Sequence, residues 1–306
     1  MGSSGPQLGD DAPLWPVPGP PPPRRGRHRR RRLVALFGIA LAVAVAAALI
    51  AIALGRQSGP PPRPPTLRIT FAEGLNREEL ARQITTVDGI ARAARKLDPI
   101  MTRQGYLAAT RSWLTPAWFE APRRRRPLEG FLFPSTYEFL ESTPARTLAA
   151  QQLGAFRQVW ESVDLSFARS KNLTAYDVLI IASMVEKEIA APEERPLAAA
   201  VIYNRLKARM TLGIDATLRY GLHIPATRSI TGSDLRSDNP YNTRKLYGLP
   251  PTPIANPGEA AIVAAAQPAK VPYLFYVRKP DGIHHFFTAS YEAFKRYCAA
   301  HGYGPC

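Results

Sequence analysis

The sequence holds little of what metal and nucleotide sites are built from. Cysteine occurs twice, at Cys298 and Cys306, in no metal-ligand spacing, so a cysteine-built zinc site is excluded. No glycine-rich phosphate loop, nucleophile elbow or zinc signature occurs anywhere in the chain, which argues against a metal and against a nucleotide or other cofactor. Histidine is also scarce, and the adjacent His284 and His285 fall in a predicted strand, where neighbours face opposite ways and cannot grip one ion.

Acidic residues are the next shortage: 24 Asp and Glu stand against 40 Lys and Arg, a formal charge of +16. The first 32 residues carry seven arginines against Asp10 and Asp11, supplying +5 and leaving +11 on the remainder. That remainder includes Arg123 to Arg126 and suits an anionic partner, such as a membrane surface or a carboxylate-bearing wall polymer.

Charge is missing altogether from Leu33 to Leu54, 22 consecutive residues, against the roughly 20 that a helix needs to cross a bilayer. The cluster Arg24 to Arg32 precedes the run, while scattered Arg56 and Arg63 follow it. The positive-inside rule therefore predicts a cytoplasmic N-terminus, with everything beyond residue 55 outside the cytoplasm, where DNA and RNA are not partners. The run is longer than the roughly 7–15 apolar residues of a cleaved signal peptide. In an oxidising compartment Cys298 and Cys306 are free to pair.

Proline runs at Pro18 to Pro23 and Pro60 to Pro65 frame the apolar segment. The organisation predicted is a disordered basic tail over 1–32, a transmembrane helix over 33–54, a Pro-rich linker over 55–66, a small accessory region over 67–127 and a main domain over 128–306. In the accessory region, Leu67-Arg-Ile-Thr-Phe alternates as a strand and Asn76 is placed to cap a helix. Helical spacing recurs from Thr143 to Val163, and Thr174 with Asp177 forms a capping-box pattern ahead of a helix over about 175–189. Another helix begins near Pro196, and residues 225–258 read as a long loop. Tyr273-Leu-Phe-Tyr-Val and His284-His-Phe-Phe, joined through Lys279-Pro-Asp-Gly, predict a hairpin before a last helix over about 291–300. The fold class expected is α+β.

The helix from Tyr176 is apolar nearly all round and therefore buried, yet it ends in Glu186-Lys-Glu188. At 100° per residue, Glu188 lies within about 40° of Ile181 and Met184, whereas Glu186 points to the other side. Desolvation and the negative end of the helix both raise a carboxyl's pKa, as a general acid requires. Helix-end carboxylates are more often solvated or paired, here with Lys187 or Arg195, so the pattern alone does not single out Glu188. Asn204 on an apolar face and Asp215 after Gly213 are open between structural and functional roles.

Several ordered blocks go further: Glu129-Gly-Phe-Leu-Phe-Pro-Ser-Thr-Tyr, Ala182-Ser-Met-Val-Glu-Lys-Glu, Glu194-Arg195, Val201-Ile-Tyr-Asn-Arg-Leu, Asp215-Ala-Thr-Leu-Arg-Tyr-Gly and Tyr241-Asn-Thr. They continue with Gly248-Leu-Pro-Pro-Thr-Pro-Ile-Ala-Asn-Pro-Gly, Pro268-Ala-Lys-Val-Pro-Tyr-Leu-Phe-Tyr-Val, and His284 with Phe286. Together they resemble the YceG-like (MltG) family of endolytic murein transglycosylases over about residues 67–297. The resemblance implies Glu188 as the catalytic acid/base of a lytic cut in the MurNAc-GlcNAc β-1,4 bond, leaving a 1,6-anhydroMurNAc end and limiting strand length. It implies that Asn204, Asp215, Thr217, Tyr241, Asn242 and His284 line the substrate groove or brace the Glu188 helix, with Tyr220 and Tyr247 offering sugar-stacking faces. It also implies peptidoglycan glycan strands as substrate, the inner membrane as location and penicillin-binding synthases as partners. Family members carry a longer LysM-like region before the equivalent of Leu67, so residues 67–127 resemble a reduced version of it. Gly213 and Ala216 replace a usual Gln and Pro, and Ala293 and Phe294 a common His-Asn pair.

Three other readings compete. A noncatalytic glycan-binding or synthase-docking scaffold would be expected to have lost Glu188. A pyridoxal-phosphate lyase would need a cytoplasmic domain. A water-using muramidase would need a second carboxylate about 5–9.5 Å from Glu188, with Asp215 or Glu194 as candidates.

Overall fold

The charge-free run forms one continuous helix, α1 (Gly26–Gln57). In the computed structural model, residues 26–57 and 64–303 are described, and they fall into two units divided between residues 63 and 64. Leu33, Phe37 and Leu49 on α1 are all exposed, an arrangement unfavourable in water and suited to lipid. Its stretch Arg30–Ala53 is long and apolar enough to cross a membrane. The tail expected to be disordered through residue 32 is helical from Gly26 onward: arginine is a good helix former, and extending a formed helix costs little. Residues 1–25, half of the expected linker (58–63) and Cys306 lie outside the described residues.

The second unit opens with β1 (Thr66–Thr70), α2 (Arg77–Arg95) and α3 (Arg103–Arg111), then the short strands β2 (Trp113–Leu114) and β3 (Arg125–Arg126) and strand β4 (Thr136–Leu140). It continues with α4 (Ala145–Trp160), α5 (Ser166–Ser170), α6 (Ala175–Glu188), α7 (Arg195–Lys207), α8 (Asp215–Gly221), α9 (Gly232–Arg236) and α10 (Glu259–Ala266). The hairpin β5 (Phe275–Arg278) and β6 (His285–Thr288) and the last helix α11 (Tyr291–Ala300) complete an α+β fold.

The boundary expected at residues 127/128 does not divide the packing. β1 pairs antiparallel with β4, Thr66 opposite Leu140 and Thr70 opposite Thr136. Alternation puts Leu67, Ile69, Tyr137 and Phe139 inside, while Arg68 and Glu138 pair at 2.7 Å on the outer face. Residues of α2 and α3, such as Leu80, Ile84 and Tyr106, share one core with Phe131, Phe156 and Leu179. A strand at one end of the segment thus needs a partner from the other to cover its backbone groups, which sequence periodicity does not reveal.

The aromatic block after Leu128 is core packing: Phe131 lies 4.7 Å from Phe119 and 5.3 Å from Phe156, centroid to centroid. Of the Arg123 to Arg126 run, Arg126 is buried, its guanidinium 3.9 Å from the centre of the Tyr176 ring. The predicted caps form, with Asn76 and Glu79 bonding reciprocally at α2 and Thr174 and Asp177 at α6.

α6 runs through the middle of the core, with Val178, Leu179, Ile181, Ala182, Met184 and Val185 fully enclosed. Ser183 sits among them without penalty: its hydroxyl donates to the Ile180 carbonyl at 2.7 Å and accepts from the Ile254 N–H at 3.1 Å. That second bond pins the proline-rich 249–258 loop to α6. α7 is anchored beside it by the Tyr203 hydroxyl, which donates to the Ala265 carbonyl of α10 at 2.9 Å. The C-terminal end of α6 is therefore a rigid platform.

Candidate active site

Glu188 is the last residue of α6, and its carboxylate opens into a cleft of about 510 Å³. The cleft is bounded by the turn at 210–215, the hairpin and the start of α11, with Asp215, Arg205, Arg244, Tyr276, Arg278 and His285 as its polar lining. The Tyr276 hydroxyl donates to Glu188 Oε2 at 3.1 Å. Burial pushes the Glu188 carboxyl above the usual carboxylate range, and the charge of Asp215 pushes the same way. The Tyr276 hydrogen bond opposes this most, followed by Arg278 and the backbone N–H of Ala216. The result is a carboxyl biased toward the protonated form and aimed into an open cleft.

Glu186 is directed elsewhere, as the helical wheel requires. It accepts from the Gly258 N–H at 3.0 Å and from Arg195 at 3.2 Å, tying α6 to the loop before α10. Glu194 is buried and accepts from the His285 backbone N–H at 3.0 Å and bonds His285 Nδ1 at 2.8 Å. This fixes the ring of His285 where it lines the cleft, 5.7 Å from the Tyr276 ring and nearly perpendicular to it.

The turn carrying Asp215 is held from two directions. The Gly213 N–H donates to the Thr243 carbonyl at 2.8 Å, and the Thr217 hydroxyl donates to the Ile214 carbonyl at 2.7 Å while sharing a bond with Thr243 Oγ1 at 2.9 Å. Gly213 has φ +66°, and a β-carbon there would lie 3.2 Å from Arg205, so glycine fits both the left-handed backbone and the crowding. Asp215 is ion-paired with Arg244. Arg205 donates to the carbonyls of Leu274 at 2.7 Å and Leu212 at 2.6 Å, bridging the turn and the hairpin while its charge faces the cleft.

Of the expected residues, the structure brings Glu188 and Asp215 into one cleft, and the others lie outside its lining. Asn204 donates its amide to the carbonyls of Val271 and Tyr273, both at 2.9 Å, fixing the approach to β5. Thr217 and Asn242 are buried; Asn242 donates to the Leu235 and Ser237 carbonyls, both at 2.9 Å, and shapes the loop that carries Arg244. Tyr220 donates to the buried Glu129 at 3.0 Å, and its ring centre lies 5.1 Å from that of Tyr241, whose hydroxyl bonds Thr252 at 2.7 Å. These two tyrosines belong to a group around Glu129 and do not line the cleft. Tyr247 is exposed and bridged to Thr211, a cleft residue.

His284, expected in the groove, is partly exposed, with Nδ1 3.0 Å from Asp281; its neighbour His285 takes the inward position, because the pleat of β6 allows one of the two to face in. Tyr276, Arg205, Arg244, Arg278 and His285 were not singled out from the sequence. Strand alternation carries a partial signal: Tyr276 and Arg278 are two apart on β5, and Arg278 pairs with His285 across the hairpin. Among the described residues, no three His, Cys, Asp or Glu side chains stand close enough to share a metal ion.

The sequence profile of the YceG-like family matches residues 41–300. Over 160 residues the chain is 36% identical to an endolytic murein transglycosylase of Bacillus subtilis, a match covering 52% of this chain and 44% of that protein. Over 235 residues it is 31% identical to an endolytic murein transglycosylase of Streptococcus pneumoniae, covering 71% of this chain and 41% of that one. The matched region thus spans less than half the length of these curated relatives. The crystal structure of a yceG-like protein from Listeria monocytogenes is similar in fold, with a TM-score of 0.59 at 25% identity and 76% of each chain covered.

Proposed function

We propose, from the premise that the chain belongs to the YceG-like family, that it is an endolytic peptidoglycan lytic transglycosylase with Glu188 as its one acid/base. The observation that carries this reading is the Glu188 carboxyl at the rigid end of α6, with a raised pKa and an open cleft in front of it. Protonated Glu188 delivers its proton to the oxygen of the MurNAc-GlcNAc bond as that bond breaks. Positive charge then develops at the MurNAc C1 and its ring oxygen. The resulting carboxylate takes the proton of the MurNAc C6 hydroxyl while that oxygen bonds to C1, closing a 1,6-anhydro ring and returning Glu188 to its acid form. No water is consumed, so no second carboxylate is needed to activate one.

The candidate second carboxylates support this reading. Glu194 is occupied by the backbone and ring of His285, and Asp215 by Arg244. Asp215 nonetheless shares the cleft, which leaves water-using cleavage as the reading to test against.

The apolar helix and the arginines at Arg24 to Arg32 support an inner-membrane anchor with a cytoplasmic N-terminus and the second unit outside. On this reading the enzyme cuts nascent strands at the membrane and limits their length beside penicillin-binding synthases. The test is incubation of the protein and its Glu188→Gln variant with uncross-linked glycan strands, followed by mass spectrometry. Anhydro-ended products from the native protein alone are expected. Reducing ends would make it a hydrolase, and binding without cleavage by either protein would make it a scaffold.

A further inference from the structure

The charges around the cleft do not match the reaction on their own. Arg205, Arg244 and Arg278 line it against Glu188 and Asp215. With Glu188 protonated, as the first step requires, the lining carries an excess of two positive charges, and an excess of one remains once Glu188 has given up its proton. A positively charged wall opposes the positive charge that develops on the sugar, so the excess calls for an anion supplied by the substrate.

Two of the three arginines are available to receive one. Arg205 is engaged by backbone carbonyls. Arg244 contacts Asp215 through Nε, and its two terminal nitrogens make no hydrogen bond among the described residues. Arg278 is exposed, its side chain making no hydrogen bond or ion pair among the described residues, on the same face of β5 as Tyr276. A guanidinium fork matches a planar carboxylate with two parallel bonds, a geometry that a neutral sugar does not offer.

We propose that Arg278 and Arg244 form a carboxylate-binding edge of the cleft, so that its substrate is a glycan strand still bearing acidic stem peptides. This rests on the glycan-cutting activity proposed above and names the form of the strand that is cut. A strand stripped of peptides lacks the anion and meets the uncompensated positive wall. One whose peptide carboxylates are converted to amides keeps its shape and loses the charge.

The test compares three substrates with the full-length chain in detergent micelles: strands with intact peptides, strands freed of peptides by an amidase, and strands with chemically amidated peptide carboxylates. The readout is the ratio of kcat/KM values from newly formed anhydro ends, which does not depend on how much of a variant is folded. Intact strands are expected to be preferred over both others by roughly tenfold or more, the scale of one charge-assisted hydrogen bond. Raising the salt concentration should shrink the preference. Arg278→Gln should bring the ratio down toward one, while Arg278→Lys, which keeps the charge but loses the fork, should retain part of it.

Equal rates on the three substrates, or an unchanged ratio in Arg278→Gln, would overturn the inference and leave the glycan-cutting reading standing. Intact and amidated strands cut equally well, and both better than stripped ones, would also overturn it by showing that the peptide is read without its charge. Failure to cut any of the three would remove the proposed activity, and the inference with it.

Discussion

Replacing Tyr276 by phenylalanine isolates one interaction on Glu188. The hydroxyl donates to Glu188 Oε2 at 3.1 Å and therefore stabilises the charged form of the carboxyl. Burial holds the hydroxyl's own pKa well above the ordinary tyrosine value, so Tyr276 remains a neutral donor throughout an enzyme assay. Hydrogen bonds to charged groups contribute about 1.5–3 kcal/mol, and one pKa unit corresponds to about 1.36 kcal/mol. Water entering the open cleft will replace part of what is lost, so the lower end applies, a rise of about one unit. The sign follows from the mechanism: Glu188 must be protonated in the free enzyme, so activity falls as pH rises through its pKa. Tyr276→Phe should move the alkaline limb of the kcat/KM profile upward by about one unit. A limb that stays in place, or moves to lower pH, would refute the assignment of that limb to Glu188 or the role given to Tyr276.

Three further outcomes can be checked with simple variants. Glu188→Gln should lower the cleavage rate by roughly 10²–10⁴ yet raise the thermal midpoint at alkaline pH. Its folded-state pKa is raised, so its contribution to stability is full below the unfolded value and lost as pH rises through the folded one; a neutral amide escapes that loss. Glu129 obeys the same sign: burial pushes it from 4.5 to about 7, equivalent to about 3 kcal/mol of stability lost from pH ~4.5 to just above ~7. Thermal midpoints across that range should flatten in Glu129→Gln, and an unchanged slope would contradict the assignment. Asn204→Ala removes two donors from the Val271 and Tyr273 carbonyls and should cost about 1–3 kcal/mol in chemical denaturation; no measurable loss would mean that water satisfies both carbonyls.

Local chemistry made much of this fold legible in the sequence. The capping boxes at Asn76 and Thr174 mark helix starts, because each motif completes its bonds within four residues. The hairpin is visible in the aromatic runs around Lys279-Pro-Asp-Gly, while the helical wheel puts Glu188 on an apolar face without singling it out, which only the resemblance to the family does. What stayed hidden depends on distant pairing. β1 and β4 are about 70 residues apart, and Asp215 meets Arg244 only because Thr217 and Thr243 bond across the intervening loop. Alternation stated that His284 and His285 face opposite ways without saying which faces in; that choice is made by Glu194, 91 residues earlier. Tyr276 and Arg278 share a face by the same alternation, but nothing along β5 marks that face as the wall of a cleft.

Four glutamates near the core also show how one fold separates a reactive carboxylate from structural ones. Glu129 accepts from the Arg77 N–H, the Tyr220 hydroxyl and the Asn256 amide. Glu186 accepts from the Gly258 N–H and Arg195, and Glu194 from the backbone and ring of His285. Each of these three joins chain segments far apart in sequence, and its acceptor capacity is directed into the protein. Glu188 receives one side-chain donor, Tyr276, from a strand that closes over it, and the backbone N–H of Ala216, and otherwise faces the cleft. A carboxyl needs burial to keep its proton near neutral pH, and it needs a free oxygen to transfer that proton. Glu129 has the burial without the opening, and Asp215 has the opening but is occupied by Arg244. The end of α6 meets both requirements in one residue, because the helix delivers Glu188 from the core to the surface of the cleft within its last turn.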